Sequence, residues 1–143
     1  GPCHSYPNED AWTDEPFAEG MVLIGDAAGW NDPIIGQGLS ITYRDVRIVS
    51  EILRGGGDWS AKAFAPYAEE RAERMRRLRF SAQLVSTLLN EFGDEARERR
   101  RRAEARQATS PLLALPFLAA MVGPDALPAA AFEETIRDQL FAD

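Results

Sequence analysis

The sequence has 143 residues, with 16 Lys+Arg against 23 Asp+Glu and a single cysteine, Cys3. A net charge of -7 with 45% hydrophobic residues is an ordinary balance for a small globular domain, and it excludes a general nucleic-acid binder, which would be basic. One cysteine excludes an internal disulfide framework and a Cys-based zinc cage, and no apolar run reaches the ~20 residues of a membrane span.

The first 20 residues carry Pro2, Pro7, Pro16 and Gly20 among polar side chains and read as loop or short extended pieces, not as a secretory signal. The run Met21-Val22-Leu23-Ile24, stopped by Gly25-Asp26, predicts a short buried strand. Its all-apolar pattern predicts cover on both faces, as in a parallel sheet. Residues 27–36 form a long turn containing Gly29, Asn31, Asp32 and Pro33. A helix is predicted from about Gly38 to Leu53, with Ile35, Leu39, Thr42, Val46, Val49 and Leu53 along one stripe. Gly55-Gly56-Gly57 ends it.

Asp58 or Ser60 is the predicted N-cap of a long second helix over about 62–91, whose seam is Phe64, Ala68, Met75, Leu78, Ala82, Val85 and Leu89. Arg71 falls on that stripe and is therefore expected to be paired or to lie at its edge. A charged helix follows from about Asp94 to Gln107, then two shorter pieces, Leu112–Met121 with Pro116 near its middle and Ala129–Phe141. Between Glu69 and Arg106 there are 11 basic and 8 acidic residues, so the remainder is strongly acidic. The run Arg97, Arg99–Arg102 is interleaved with Asp94, Glu95, Glu98 and Glu104, which predicts a solvated helix face and no nucleic-acid partner. One strand cannot make a sheet, so its partners are expected outside this sequence or in a second copy.

The stretch that carries chemistry is 20–53. A buried strand delivers Asp26 to its C-terminal end, where ligands bind open α/β sheets. Gly25 lets the backbone turn or approach a ligand closely. A loop through Pro33 then leads to Gly36-Gln37-Gly38 at a helix start, where bare N–H groups and the helix dipole favour an anionic group. The pair offers one carboxylate for hydroxyls and one positive helix end. His4 and Cys3 sit in no nucleophile pattern, so no catalytic side chain and no metal ligand is identified.

The order strand, Gly25-Asp26-Ala27-Ala28, Pro33, Gly36-Gln37-Gly38, with Asp45 in the helix, resembles the second flavin-binding motif of the FAD-dependent monooxygenases related to para-hydroxybenzoate hydroxylase. The resemblance implies that Gly25 and Asp26 lie at the ribityl chain, with Asp26 binding its hydroxyls. It implies that Pro33 passes near the reacting edge of the flavin. It implies that Gly36, Gln37, Gly38, Leu39 and Ser40 offer backbone N–H groups to the pyrimidine end of the ring, which is negative when reduced. Two positions depart from the pattern: Gly29 stands where the family usually has His, and Ser40 where it usually has Asn. Trp30, Asn31 and Asp32 fall where the family's loop meets the flavin front, with Trp30 facing substrate or merely packing, and Tyr6–Trp12 either lines the substrate side near the ring or is a surface loop. Asp45 is either part of the motif or a surface charge beside Arg44 or Arg47.

The family's nucleotide fingerprint, G-x-G-x-x-G after a first strand, is absent from these residues. The expected fold class is therefore a mostly α fragment of an α/β protein. Residues 1–57 would be the last strand and helix of an FAD-binding Rossmann-like domain, and residues 58–143 a C-terminal helical segment. As the resemblance implies, the complete enzyme would use FAD, NAD(P)H and O2 to hydroxylate a small organic, often aromatic, substrate in the cytoplasm. Its N-terminal FAD-binding portion would be this chain's partner, without which it would be inactive. Two alternatives stand beside this: a non-enzymatic helical interaction domain with a residual flavin motif, and a related FAD-dependent reductase or epoxidase.

Overall fold

A computed structural model describes residues 1–4 and 9–142. The chain is mostly α, with two small two-stranded sheets. It divides into two compact units, Gly1–Ala72 and Glu73–Asp143. The expected boundary at 57/58 lies just beyond the end of the first helix at Arg54. The first compact unit runs further, to Ala72, because the start of the next helix supplies Phe64 and Tyr67 to its core.

In the first unit, β1 (Ala11–Trp12) pairs antiparallel with β4 (Gly29–Trp30), and β2 (Phe17–Ala18) with β3 (Met21–Val22). The second pair is a tight hairpin through Glu19-Gly20, where Gly20 takes a positive φ of 73°. A backbone bond from Leu23 N–H to the Pro16 carbonyl, 2.7 Å, extends it.

The expectation of a strand buried on both faces is corrected here. Met21 is 52% exposed, whereas Val22 and Ile24 pack with Val49, Phe64 and Tyr67. None of the four is fully buried: Met21 is exposed and Val22, Leu23 and Ile24 are half-buried, and the strand's partner, β2, lies within this sequence.

Single 3-10 turns at Gly25–Ala28 and Pro33–Ile35 link the strands to helix α1 (Gly38–Arg54). The buried face of α1 keeps Val49 of the predicted stripe but is otherwise turned from it. Ile41, Asp45 and Val49 are buried, and Ile48 and Ile52 pack beside them, while Leu39, Val46 and Leu53 are exposed. Both stripes satisfy the 3.6-residue period; the one carrying Asp45 faces the core because a buried arginine meets it.

Helix α2 (Ala65–Leu89), preceded by a 3-10 turn at Ala61–Phe64, continues into the second unit, which also holds α3 (Asp94–Thr109), α4 (Pro111–Val122) and α5 (Glu134–Phe141). Pro111 sits at the start of α4, where its missing N–H costs nothing, and α4 continues through Pro116. The predicted last helix is split: Ala129–Phe132 is a 3-10 turn, and α5 begins only at Glu134.

Phe80, Leu84, Ala103, Leu113, Phe132, Ile136 and Leu140 form the core of this unit, with the Phe80 and Phe132 rings edge to face at 6.3 Å. Arginines tie its connections by donating to carbonyls. Arg76 bonds Phe132, Arg77 bonds Pro124 and Leu127, Arg100 bonds Leu88 and Glu91, and Arg106 bonds Leu140 and Ala142. Arg97, Arg99 and Arg101 pair with Asp94, Glu91 and Glu98. The arginine run is thus spent on helix ends and local ion pairs.

Candidate functional site

The site grows from the loop between β3 and α1. Gly25 opens the 3-10 turn at φ 52°, and a Cβ there would lie 2.6 Å from Thr42 Oγ1 on α1. Only glycine lets the turn sit this close to the helix. The turn leaves Asp26 and Ala27 exposed and buries Ala28.

The chain then enters β4, where Gly29 lies opposite Trp12. A Cβ at Gly29, whose φ is 140°, would stand 2.7 Å from Trp12 Cα and 2.9 Å from the Ala11 carbonyl. No side chain fits there, which explains why glycine replaces the histidine usual in the resembled motif.

Beyond β4 the loop is held by its own bonds. Asp10 accepts the Asp32 N–H, and Asp32 in turn accepts the Ile34 N–H, each at 2.9 Å. Gly36 then closes the turn in the left-handed region (φ 66°), donating to the Pro33 carbonyl at 2.8 Å. The side chain of the N-cap residue, Gln37, makes no capping bond at the start of α1. Its first backbone N–H groups keep their donor capacity and the positive end of the dipole.

These pieces line an open cavity of about 410 Å³, bounded by Asp26, Gly29–Pro33, Ile35–Gly38 and Ile41. That is within the ~300–1,000 Å³ of ordinary small-molecule sites. Five of the residues identified from sequence line it together: Asp26, Pro33, Gly36, Gln37 and Gly38. Three do not. Gly25 is buried behind the wall, and Leu39 and Ser40 are exposed on the first turn of α1. Trp30, Asn31 and Asp32 are on the lining. Of the segment Tyr6–Trp12, residues 6–8 lie outside the described residues, and Asp10, Ala11 and Trp12 act as backing for the loop rather than as lining.

Behind the wall lies an arrangement that sequence reasoning saw only in part. Asp45 is fully buried (0% exposed) and Arg71, on α2, is 3% exposed. Arg71 Nε donates to Asp45 Oδ2 at 3.0 Å, Nη2 to the Gly25 carbonyl at 3.0 Å and Nη1 to the Ala28 carbonyl at 3.3 Å. The Gly25 N–H donates to the same Asp45 oxygen at 2.9 Å. Tyr67, one turn earlier on α2, donates its hydroxyl to the Leu23 carbonyl at 2.8 Å. The reading of Asp45 as a surface charge is corrected: it is buried and pairs with Arg71, and Arg44 pairs with Glu70 at 2.6 Å. The signal for this was present in the placement of Arg71 on an apolar stripe, where a charge must find an opposite one.

An exposed carboxylate and an uncapped helix end facing one cavity fit a ligand with hydroxyls on one part and an electron-rich group on another. A flavin with its ribityl chain has this donor set. Comparison with protein-family models places the chain among the FAD-dependent monooxygenases. The matching family is squalene epoxidase, over residues 3–90, and the chain belongs to it. The expected FAD-dependent monooxygenase is thereby shown; the narrower relation to para-hydroxybenzoate hydroxylase is not part of the match. Neither the curated proteins nor the solved structures gave a match. Among the described residues, no helix is long and apolar enough to cross a membrane, and no group of three His, Cys, Asp or Glu is placed to hold a metal ion.

Proposed function

We propose that the chain forms the ring-facing part of an FAD-dependent monooxygenase that uses NAD(P)H and O2 to epoxidise a carbon–carbon double bond in a small organic substrate. Membership of the squalene epoxidase family supports epoxidation over aromatic hydroxylation. The observation that carries the proposal is that Asp26 and the uncapped start of α1 line one cavity. The redox chemistry belongs to the cofactor: two electrons from the nicotinamide reach O2, one oxygen atom goes to the substrate, and the other leaves as water.

The residues of this chain bind and orient. Asp26 accepts hydrogen bonds from ribityl hydroxyls, a charge-assisted contact on an exposed carboxylate. The helix start from Gly36 through Gly38 turns backbone N–H groups and a positive dipole toward the pyrimidine end of the ring, lowering the cost of its negative charge when reduced. Gly36 and Gly38 carry no side chain to stand in the way. Trp30, Pro33 and Ile35 supply apolar wall, which keeps water from the reacting edge. The adenosine diphosphate half of FAD is held by a Rossmann-like portion of the same protein outside these residues, the chain's proposed partner.

The test uses the chain joined to that portion. Asp26→Ala should purify with clearly less bound flavin than the unsubstituted protein, read from flavin absorbance per polypeptide. Equal flavin content would refute the role of Asp26. The product assigned by NMR from an alkene substrate should be an epoxide; an allylic or aromatic alcohol would move the reaction class to hydroxylation.

A further inference from the structure

We infer that Arg71 and Asp45 are positioning residues for Asp26, acting on the cofactor through the turn that carries it; this rests on the assignment of Asp26 to flavin. Asp26 itself makes few demands on the fold: it is exposed, in a short 3-10 turn whose start has no side-chain cap. Such a turn would rock with its neighbours unless both of its ends were held.

Both are held by one guanidinium. Arg71 bonds the carbonyl of Gly25, the residue before Asp26, and the carbonyl of Ala28, two residues after it. Asp45 closes the frame by taking the Gly25 N–H and the Arg71 Nε on the same oxygen. The planar fork is what allows a single side chain to span three acceptors in fixed directions; an ammonium keeps the charge and loses the span. Burial of both partners keeps solvent from competing for those bonds. The pair is also remote from the ligand. Neither Arg71 nor Asp45 lines the cavity, so any effect on flavin passes through the turn.

The experiment is a double-mutant cycle on FAD affinity in the chain joined to its nucleotide-binding portion, measured by titrating the apoprotein with FAD. The four proteins are unsubstituted, Asp26→Ala, Arg71→Lys and the double variant. Arg71→Lys should weaken FAD binding about tenfold, the scale of an outer partner that orients a ligand-binding group. In the Asp26→Ala background the same substitution should change affinity by less than about twofold, because its route to the cofactor is gone.

Equal losses in both backgrounds overturn the proposal, since a general structural role weakens binding whether or not Asp26 is present. No loss from Arg71→Lys also overturns it. If Asp26→Ala alone leaves affinity unchanged, the flavin role of Asp26 fails instead, and the two failures are told apart. Should Arg71→Lys not accumulate as folded protein, Asp45→Asn is read the same way, since it keeps an oxygen for the Gly25 N–H and removes the charge. If neither variant folds, the pair serves folding alone and the proposal is refuted.

Discussion

Replacing Arg71 by Met tests whether the first unit is organised around its buried ion pair. The substitution keeps much of the side-chain volume but removes the donors to Asp45, Gly25 and Ala28. Asp45 would then be a buried carboxylate holding the Gly25 N–H without its arginine. Breaking a buried pair from one side costs about 3–5 kcal/mol.

A companion variant separates the causes. Asp45→Leu with Arg71→Met removes both charges, and exchange of a buried pair for apolar groups is often close to neutral. Here it is not, because the Gly25 and Ala28 carbonyls still lose their donor and the Gly25 N–H its acceptor, at about 1–3 kcal/mol each where burial is complete. The double variant should therefore recover only part of the loss. All three tryptophans, Trp12, Trp30 and Trp59, lie in the first unit, so tryptophan fluorescence in a urea titration reads that unit alone. A loss below about 1 kcal/mol for Arg71→Met would refute the reasoning, for it would mean that the turn is not held by this residue.

Gly29→Ala adds a Cβ against the backbone of Trp12 at a φ of 140°, and should cost about 3 kcal/mol or more by thermal unfolding. Gly36→Ala has open space around its Cβ and should cost only the left-handed penalty of about 1–2 kcal/mol; equal effects at the two sites would contradict the packing at Gly29. Glu73 is held down to about 2 from an ordinary 4.5, first by its hydrogen bond from Arg76 and also by Arg77. Its folded value is depressed, so its contribution is present above pH 4.5 and fades as pH falls toward about 2. With the carboxylate half exposed, screening limits that contribution to about 1 kcal/mol; Glu73→Gln should flatten this part of the acid-unfolding curve, followed by circular dichroism. Phe132→Ala removes a ring packed on Phe80 and beneath Arg77, and should destabilise by about 3–5 kcal/mol in chemical denaturation; less than about 1 kcal/mol would place the core elsewhere.

Much of the helical skeleton was legible because its signals are local. Gly55 ends α1 and Pro111 opens α4, and the long period of the second helix needs no tertiary partner to be seen. The cavity was partly legible for the same reason, since a Pro-loop and a glycine-flanked helix start announce themselves in sequence. What could not be read was the rotation of α1. Two stripes of nearly equal apolar content run along it, one through Leu39, Val46 and Leu53 and one through Ile41, Ile48 and Ile52. Periodicity alone cannot choose between them, and the second contains Asp45, which a hydrophobicity argument counts against it. The choice is made by Arg71, 26 residues away, whose buried guanidinium needs a carboxylate. A polar pair thus sets which apolar face is inside. Asp45 was ambiguous because Arg71 is distant in sequence, whereas Arg44 and Arg47 are close.

The same dependence on distant partners accounts for Gly29. As a departure from the resembled motif it reads as the loss of a side chain from the flavin front. In the fold it is a condition for β1 to approach: the Trp12–Gly29 register brings backbone so close that any Cβ collides. The gain is a second anchor on the loop, because β1 continues from Asp10, which takes the Asp32 N–H, and leads to Thr13, which donates to the Ala28 carbonyl at 3.3 Å. Ala28 is thereby held from two directions, by Thr13 from outside and by Arg71 from within. A histidine at this position would require β1 to move away, and with it one of the two supports of the turn that presents Asp26. Glycine here exchanges a side chain at the site for rigidity behind it.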